Sequence, residues 1–335
     1  MNSVPTISMP WSADVNDARL DRDIASGMAA VEGLLRQCTD SDQPLLGESS
    51  RHLLAAGGKR FRPMLSLLSA QFAEPGAPEV VQGAAACELI HLATLYHDDV
   101  MDEAKLRRGV ECAHERWSNT VAIFTGDFLF AAAARLIGRL GRVAIDIQTE
   151  TTKRLVTGQL REMVGWSPGL SREQHYLKVI SDKTGSLFAA AARLGAELAG
   201  ASAEVLGQLG RYAEALGMAF QLSDDVLDIV GGAGLGKAVG GDLREGVPTL
   251  PTIYVMERAS SSDARLRELL GADLNDEGLL AEALEILREH EALDYTRAKL
   301  RHYVDTAISA LDGLADIPAR AALSAVAGSM LTRGA

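Results

Sequence analysis

The chain has 335 residues, of which 47% are hydrophobic, and its formal net charge is −12. This length allows one large domain or two ordinary ones, and the negative charge argues against a nucleic-acid partner, because phosphate backbones attract basic surfaces. The three cysteines are widely spaced and form no CxxC pair. They therefore indicate neither a disulfide framework nor a zinc site, and they are typical of a reducing cytoplasm.

The first residues, MNSVPTISMPWSADVNDARL, are polar and lack the basic start and apolar centre of a signal peptide. We expect residues 1–15 to be disordered and residues 16–335 to form a single domain. The apolar runs of the sequence are judged too short to span a bilayer. The sequence therefore predicts a cytoplasmic protein without a transmembrane segment.

Apolar residues recur at helical spacing from about residue 17 to the end, and no stretch alternates as a strand would. Turn residues separate the periodic segments, as in SDQP at 41–44 and EPGAP at 74–78. The predicted helices cover residues 17–38, 59–73, 78–104, 119–139, 142–165, 172–200, 202–230, 249–259, 276–290 and 292–312. Because aromatic residues make up only 5% of the chain and β-branched runs are few, we predict an all-α fold in one large helical domain.

Two stretches, LYHDDVMD and QLSDDVLD, each load an apolar helix with three carboxylates. These belong to Asp98, Asp99, Asp102, Asp224, Asp225 and Asp228. The outer two acids of each cluster are four residues apart, so they share one helix face and repel each other, and burial adds to the penalty. A divalent cation offsets both effects, and Mg²⁺ often completes its oxygen shell with substrate phosphates. Two such helices that face each other would clamp a diphosphate.

The alternative is that each cluster ends a helix in solvent, because exposed aspartate is common. Two clusters of identical spacing, each within an apolar run, favour a shared function instead. A calcium loop of the EF-hand type does not fit, because the glycine turn and the terminal glutamate are missing from the required positions.

Basic residues accompany the acidic clusters in the stretches GGKRFRP, KLRRG, KTG and LGKAVGGD. They are Lys59, Arg60, Arg62, Lys105, Arg107, Arg108, Lys183 and Lys237. Arginine and lysine both suit phosphate oxygens, although any one of them is also typical of a solvated helix end. GGAGLGK at 231–237 has the spacing of a nucleotide-binding P-loop, but Ala238 stands where Ser or Thr would bind magnesium and a helix precedes it, so we reject that interpretation.

The sequence resembles the all-trans polyprenyl diphosphate synthases of the medium- and long-chain type over about residues 57–251. The matching stretches are GGKRFRP, ELIHLATLYHDDVMDEAKLRRG, TGDFLFAAA, DKTGSLF, FQLSDDVLD and GKAVGGDLREGVPTLP. Two DDxxD clusters, with RRG behind the first and FQ ahead of the second, are a specific signature, whereas terpene cyclases share a lone DDxxD. The resemblance implies a helical bundle around a central cavity, the isoprenoid synthase fold, and a homodimer.

The resemblance also implies roles for individual residues. Magnesium at the allylic diphosphate would be held by Asp98 and Asp102, with Asp99 nearby, and another ion by Asp224 and Asp228 beside Asp225. Contacts to the allylic substrate are implied for Arg107, Lys183, Thr184, Gln221 and Lys237. Contacts to isopentenyl diphosphate are implied for Lys59, Arg62, His91 and Arg108. In one departure the stretch GVPTLP has Val247 where the family often has lysine, which puts one diphosphate contact in doubt.

The implied reaction ionises the allylic C1–O bond, and the isopentenyl double bond then attacks the cation. The growing tail would pass Ala93 and Thr94, one turn before Asp98, where short-chain relatives commonly carry aromatic rings. Leu89 and Ile90 lie deeper on the same wall. These small or medium residues leave the path open, so we expect a hexaprenyl or longer product.

Three alternatives remain at this point. A short-chain synthase of the geranylgeranyl type would run the same reaction for fewer cycles. A terpene cyclase would ionise an allylic diphosphate without an isopentenyl site, and the stretch GGKRFRP, His91 and Arg108 argue against it. A non-catalytic synthase subunit would be expected to lose aspartates, and both clusters are complete here.

Overall fold

The structure is a computed structural model that describes residues 11, 15, 17–166, 168–231, 239–258 and 260–333. Most of the N-terminal segment expected to be disordered, residues 1–15, lies outside these residues. Trp11 differs from that expectation, because its indole is fully buried and donates a hydrogen bond to Asp21 Oδ1 at 3.1 Å. Asp17 then caps the first helix through the backbone N–H groups of Arg19 and Leu20.

The first half of the chain is helical apart from one small hairpin in its described residues. Its helices are α1 Ala18–Cys38, α2 Pro44–Ala55, α3 Phe61–Ala70, α4 Pro78–Met101, α5 Ala113–Arg116, α6 Asn119–Ile137 and α7 Arg142–Val164. The hairpin pairs β1 (Leu106–Arg107) with β2 (Val110–Glu111). Its two turn residues, Arg108 and Gly109, have φ angles of 54° and 77°, which is the geometry of a type I′ turn.

The second half of the chain is helical as well. Its elements are α8 Arg172–Ile180, a π-helical turn Ser181–Gly185, α9 Ser186–Leu198, α10 Ala203–Val230, α11 Gly241–Arg244, α12 Leu250–Glu257, a 3₁₀ turn Ser261–Asp263, α13 Ala264–Leu270, α14 Glu277–Glu289, α15 Glu291–Ala310 and α16 Pro318–Thr332.

The chain forms two compact units that alternate along the sequence. The first unit comprises Met1–Thr151, Leu187–Gly210 and Gly313–Leu323, and the second comprises Thr152–Ser186, Arg211–Asp312 and Ser324–Ala335. Each unit is assembled from three separate segments, so no single linker divides the sequence between them. A single domain over residues 16–335 stays a prediction.

In the first unit α4 packs against α1, α3 and α6. Its residues are buried on nearly every side, as expected for a central helix. Helices α9 and α3 cross closely at Gly195, where an added Cβ would lie 2.0 Å from the carbonyl oxygen of Ser66. The hydroxyl of Ser66 donates to Ala191 O at 2.8 Å in the same crossing. Helix α3, which packs against α4, is thereby joined closely to α9.

In the second unit a hydrophobic core joins the end of α10 to the helices that follow it. Its fully or almost fully buried members include Val226, Ile229, Leu243, Val255, Leu266, Leu269, Leu280, Leu287 and Leu293. Helix α12 packs against α8, α13 and α15. This core fixes the part of α10 that carries the second aspartate cluster.

The all-α fold is confirmed, but several boundaries differ from the predictions. The sequence reading missed α2, α13 and α16, and also the four-residue helices α5 and α11. The predicted helix over 172–200 was wrong as a continuous helix, because the π-helical turn Ser181–Gly185 separates α8 from α9. Such a turn inserts one residue without ending the apolar pattern, so periodicity does not reveal it.

Helix α6 is long and apolar enough to cross a membrane by length and composition. This differs from the expectation that no apolar run has that length. Core helices of soluble proteins have the same length and composition, so these features alone do not predict a membrane span. Helix α6 packs along α4 and carries Asp127 and Arg135.

Candidate active site

The first aspartate cluster lies at the C-terminal end of α4. Asp98 is half-buried and Asp102 is exposed, and the backbone N–H of Asp102 donates to Asp98 O at 2.8 Å, which keeps the helical spacing. Asp99 is buried, with 1% of its surface exposed, and its Oδ1 accepts from Arg107 Nε at 2.7 Å. Burial alone would lower the pKa of Arg107, but the Asp99 carboxylate outweighs it and raises the pKa. Asp99 therefore ties α4 to β1.

The second cluster, on α10, has the same arrangement of one buried and two less buried aspartates. Asp225 is buried and accepts hydrogen bonds from the Tyr176 hydroxyl and, at 3.3 Å, from the backbone N–H of Leu250. Burial raises the pKa of the Asp225 carboxyl to about 7, against the lowering effect of the Tyr176 hydrogen bond. Asp224 and Asp228 are half-buried. The middle acid again joins its helix to other elements, here α8 and α12.

The outer acids of the second cluster have protein partners. Asp224 Oδ1 forms an ion pair with Arg333 Nη2 at 2.8 Å, a contact between residues 109 positions apart that the sequence reading missed. Asp228 accepts from the backbone N–H groups of Gly241 and Asp242 at 2.9 and 3.1 Å. A bound cation would have to compete with these donors.

Within the described residues, no group of three or more His, Cys, Asp or Glu side chains is arranged to hold a metal ion. A magnesium site does not need one, because Mg²⁺ is commonly held by one or two carboxylates together with waters and substrate phosphates. The outer acids of each cluster offer such a pair of oxygen donors. The donor chemistry therefore fits magnesium at Asp98 with Asp102 and at Asp224 with Asp228.

Arg60 serves the structure of the first unit. It is buried in a left-handed conformation with φ 47°, which ends the glycine-rich loop before α3. Its guanidinium donates to Glu32 at 2.5 Å, to Glu88 at 3.1 Å and to the carbonyl of Leu54 at 3.1 Å. Glu32, Glu88 and Leu54 lie in α1, α4 and α2, so Arg60 joins its loop to three helices.

Three predicted isopentenyl contacts come together in the first unit. Burial lowers the pKa of Arg62 to about 10, and its buried Nε has no hydrogen-bond partner among the described residues. Burial and the arginines at 62, 108, 60 and 107 hold the pKa of His91 well below its usual value. Burial likewise lowers the pKa of Arg108, which donates to Leu53 O at 3.0 Å. Burial is the largest cause of all three pKa shifts, and the Glu88 carboxylate opposes it at Arg62 and Arg108.

Gly58 allows the Arg108 side chain to approach the loop before α3 closely. An added Cβ at Gly58, where φ is 137°, would lie 2.9 Å from the Arg108 guanidinium carbon. The guanidinium of Arg62 lies over the Phe188 ring at 4.9 Å from its centroid. Lys59, the fourth predicted contact, is exposed at the edge of this loop.

The predicted chain-length wall lies on α4. Leu89, Ile90 and Ala93 are buried, and Thr94 is half-buried with its hydroxyl donating to His91 O at 2.8 Å. Tyr96 is the nearest aromatic side chain in sequence. Its hydroxyl donates to Ser49 O and accepts from the backbone N–H of Leu53 at 3.2 Å, so its ring is held against α2.

Three predicted allylic contacts come together in the second unit. Lys183 and Thr184 lie in the π-helical turn, and Thr184 Oγ1 donates to Gln221 Oε1 at 3.3 Å. The Lys183 ammonium forms an ion pair with Glu162. Lys237 lies outside the described residues, and Val247 is 37% exposed.

The fold and these clusters match those of known proteins. A family model described as polyprenyl synthetase matches residues 43–287. A nonaprenyl diphosphate synthase from Mycobacterium tuberculosis is 42% identical over 322 residues, which cover 96% of each chain. The chain therefore belongs to the polyprenyl synthetase family, and it is a prenyltransferase.

Two solved structures share the fold closely. A polyprenyl synthase from Caulobacter crescentus, complexed with calcium and isoprenyl diphosphate, has a TM-score of 0.86 at 36% identity over 95% of this chain and 98% of that one. A geranylgeranyl pyrophosphate synthase from Corynebacterium glutamicum, complexed with the same two ligands, has a TM-score of 0.86 at 39% identity over 96% and 99%. Both complexes contain a divalent cation and a prenyl diphosphate.

Proposed function

We propose that this chain is a magnesium-dependent all-trans polyprenyl diphosphate synthase that adds isopentenyl diphosphate units to an allylic diphosphate primer. The observation that carries the proposal is the pair of arginines Arg62 and Arg108 beside the neutral imidazole of His91, with the buried Nε of Arg62 lacking a hydrogen-bond partner among the described residues. His91 precedes Asp98 by seven residues on α4, so it lies on the same helix face about 10 Å away. An isopentenyl diphosphate bound at these three residues would thus be near an allylic diphosphate bound through Asp98 and Asp102.

The mechanism assigns separate tasks to the acidic and basic groups. Asp98 with Asp102 and Asp224 with Asp228 would hold magnesium, which would supply positive charge to neutralise the departing diphosphate. Lys183, Thr184 and Gln221 hold the allylic diphosphate as its C1–O bond ionises, and Arg62 with Arg108 holds the isopentenyl diphosphate. The isopentenyl double bond then attacks the allylic cation. Loss of a proton, with the released diphosphate as base, leaves a product longer by one trans isoprene unit.

The product is proposed to be hexaprenyl or longer. The wall positions Leu89, Ile90, Ala93 and Thr94 contain no aromatic ring, and Tyr96 is tied to α2. The relatives include a nonaprenyl diphosphate synthase, which supports a long product, and a geranylgeranyl pyrophosphate synthase, which keeps the shorter alternative open. Chain length therefore depends on the side chains of α4.

The experiment is turnover by the purified chain with isopentenyl diphosphate, an allylic primer and magnesium, with the products measured by mass spectrometry. We expect consumption of isopentenyl diphosphate, which a terpene cyclase would not consume. Asp98→Ala should abolish turnover, and Asp294→Ala, at an exposed acid of α15, should not change it. Wild-type turnover by Asp98→Ala would refute the metal role, and an inactive purified chain would favour the non-catalytic subunit.

A homodimer is part of the proposal. Helix α6 exposes Ile123 by 43% and Phe124 by 63%, and α7 exposes Val156 by 63% and Leu160 by 59%. Exposed apolar side chains of this size are typical of subunit interfaces. We also propose that the protein works in the cytoplasm, where its diphosphate substrates are soluble.

A further inference from the structure

Lys183 and Thr184 do not lie on a regular helix. They belong to the π-helical turn Ser181–Gly185, which is closed by a hydrogen bond from the backbone N–H of Ser186 to Ser181 O. Turns of this kind are rare and frequently occur at functional sites. Their shape depends on the side chains that pack around them, and here these come from the parts of α7 and α10 that belong to the second unit.

Helix α7 contacts the turn through two arginines. The carboxylate of Asp182, with 8% of the residue exposed, accepts from Arg154 Nε at 3.0 Å and from Arg161 Nη1 at 2.5 Å. Arg154 also donates to the carbonyl and hydroxyl oxygens of Ser181 at 3.2 and 2.9 Å. The two arginines are seven residues apart and therefore share one face of α7. Both oxygens of a nearly buried carboxylate are thus fixed to one helix.

A glycine lies between these arginines on the same face. A Cβ added at Gly158 would lie 2.8 Å from Asp182 Cβ and 3.0 Å from the backbone nitrogen of Lys183. Glycine therefore allows α7 to touch the backbone of the turn directly at Lys183.

Helix α10 also contacts the turn, through Glu214 and Gln221. Glu214 accepts from Arg154 Nη2 at 2.6 Å and from the Ser181 hydroxyl at 3.0 Å. Seven residues later, Gln221 accepts from the Thr184 hydroxyl at 3.3 Å. Gly185 permits this approach, because an added Cβ would lie 3.3 Å from Glu214 Cγ.

We propose that Arg154, Arg161, Asp182 and Glu214 form a positioning network that fixes Lys183 and Thr184 for the diphosphate of the allylic substrate. The inference rests on the proposed function, which assigns those two residues to that diphosphate. The network contains two cations and two anions, so it adds no net charge to attract the substrate. Its contribution is orientation, and misplacement of a contact by about 1 Å can change rates by about a hundredfold.

The test uses Asp182→Asn, which keeps the size of the side chain and removes its charge. We expect the KM for the allylic primer to rise about tenfold or more, and the KM for isopentenyl diphosphate to stay within about twofold. Binding of an allylic thiolodiphosphate, measured by calorimetry, should weaken in parallel. Glu282→Gln, which breaks a half-exposed ion pair with Arg265 in the same unit, should change neither quantity.

Glu214→Gln is the second variant, because Glu214 is 39% exposed and its loss should leave the fold intact even if Asp182→Asn does not fold. It should weaken thiolodiphosphate binding in the same selective way, by a smaller factor. A network that only joins helices would lower the melting temperature and leave both affinities unchanged, and that result overturns the inference. Failure of the wild-type chain to consume isopentenyl diphosphate would instead overturn the proposed function.

Discussion

At the scale of single residues, aspartates of the same motif have different structural roles. Each DDxxD cluster contains one buried aspartate that joins its helix to a neighbouring element, Asp99 to Arg107 of β1 and Asp225 to Tyr176 of α8. The outer acids are half-buried or exposed. The difference follows from helix geometry, because neighbouring positions point about 100° apart and only one of them faces the core.

We expect His91 to make the stability of the folded protein depend on pH. Its pKa is depressed by burial and by the surrounding arginines, so the folded protein binds a proton at His91 less readily than the unfolded chain, whose histidine titrates near 6.5. Stability should therefore fall as the pH drops below about 6.5, where the unfolded chain takes up the extra proton. His91→Gln should make the free energy of unfolding less dependent on pH between 7 and 5, as measured by urea denaturation.

The control for this measurement is His302→Gln, at an exposed histidine of α15. Its pH dependence should follow that of the wild type. Parallel curves for the wild type and His91→Gln would contradict the depressed pKa.

Product length should respond to residue 94. Thr94 is half-buried, so Thr94→Phe can be accommodated more readily than Ala93→Phe at a fully buried position. We expect both to shorten the product measured by mass spectrometry, while turnover continues. Leu95→Phe, one residue along and about 100° round the helix, is the control and should leave the product unchanged. An unchanged product in Thr94→Phe would remove Thr94 from the wall.

At the scale of elements, glycines determine how closely helices and loops approach one another. Gly195 lies against the backbone of α3, and Gly58 lies under the Arg108 guanidinium. The sequence contains 32 glycines, and nothing in their spacing distinguishes these from glycines in open space. Their roles follow from the crossing of segments that are distant in sequence.

Gly195→Ala should destabilise the protein, because its Cβ would lie 2.0 Å from a backbone oxygen that cannot rotate away. Overpacking of this kind lowers the free energy of unfolding by about 1–3 kcal/mol. Gly33→Ala, on the exposed face of α1 with no atom within 4 Å of the added Cβ, should raise it by about 0.5–1 kcal/mol. Urea denaturation measures both changes, and equal effects would contradict the close crossing of α3 and α9.

At the scale of the whole molecule, the exposed apolar side chains of α6 and α7 predict self-association. Phe124→Asp should shift the protein from dimer to monomer in sedimentation velocity experiments, because a charge at a buried interface is strongly unfavourable. Ile308→Asp, at a less exposed apolar residue of α15, should leave the dimer intact. A wild-type protein that sediments as a monomer, or a dimer that Phe124→Asp does not affect, would refute this interface.

The sequence by itself determined the all-α fold class, the two aspartate clusters and the family, because helical periodicity and short motifs are local properties. Backbone geometry, which the apolar pattern does not record, determined the ends of α3 and α4. It also determined the π-helical turn Ser181–Gly185. Only the tertiary structure could assign Asp99 and Asp225 to buried contacts, Arg60 to its loop and Tyr96 to α2. It also joined Arg154, Asp182 and Glu214, which are distant in sequence. Their roles depend on side-chain contacts between helices that are distant in sequence. A linear pattern of residue types does not specify these contacts.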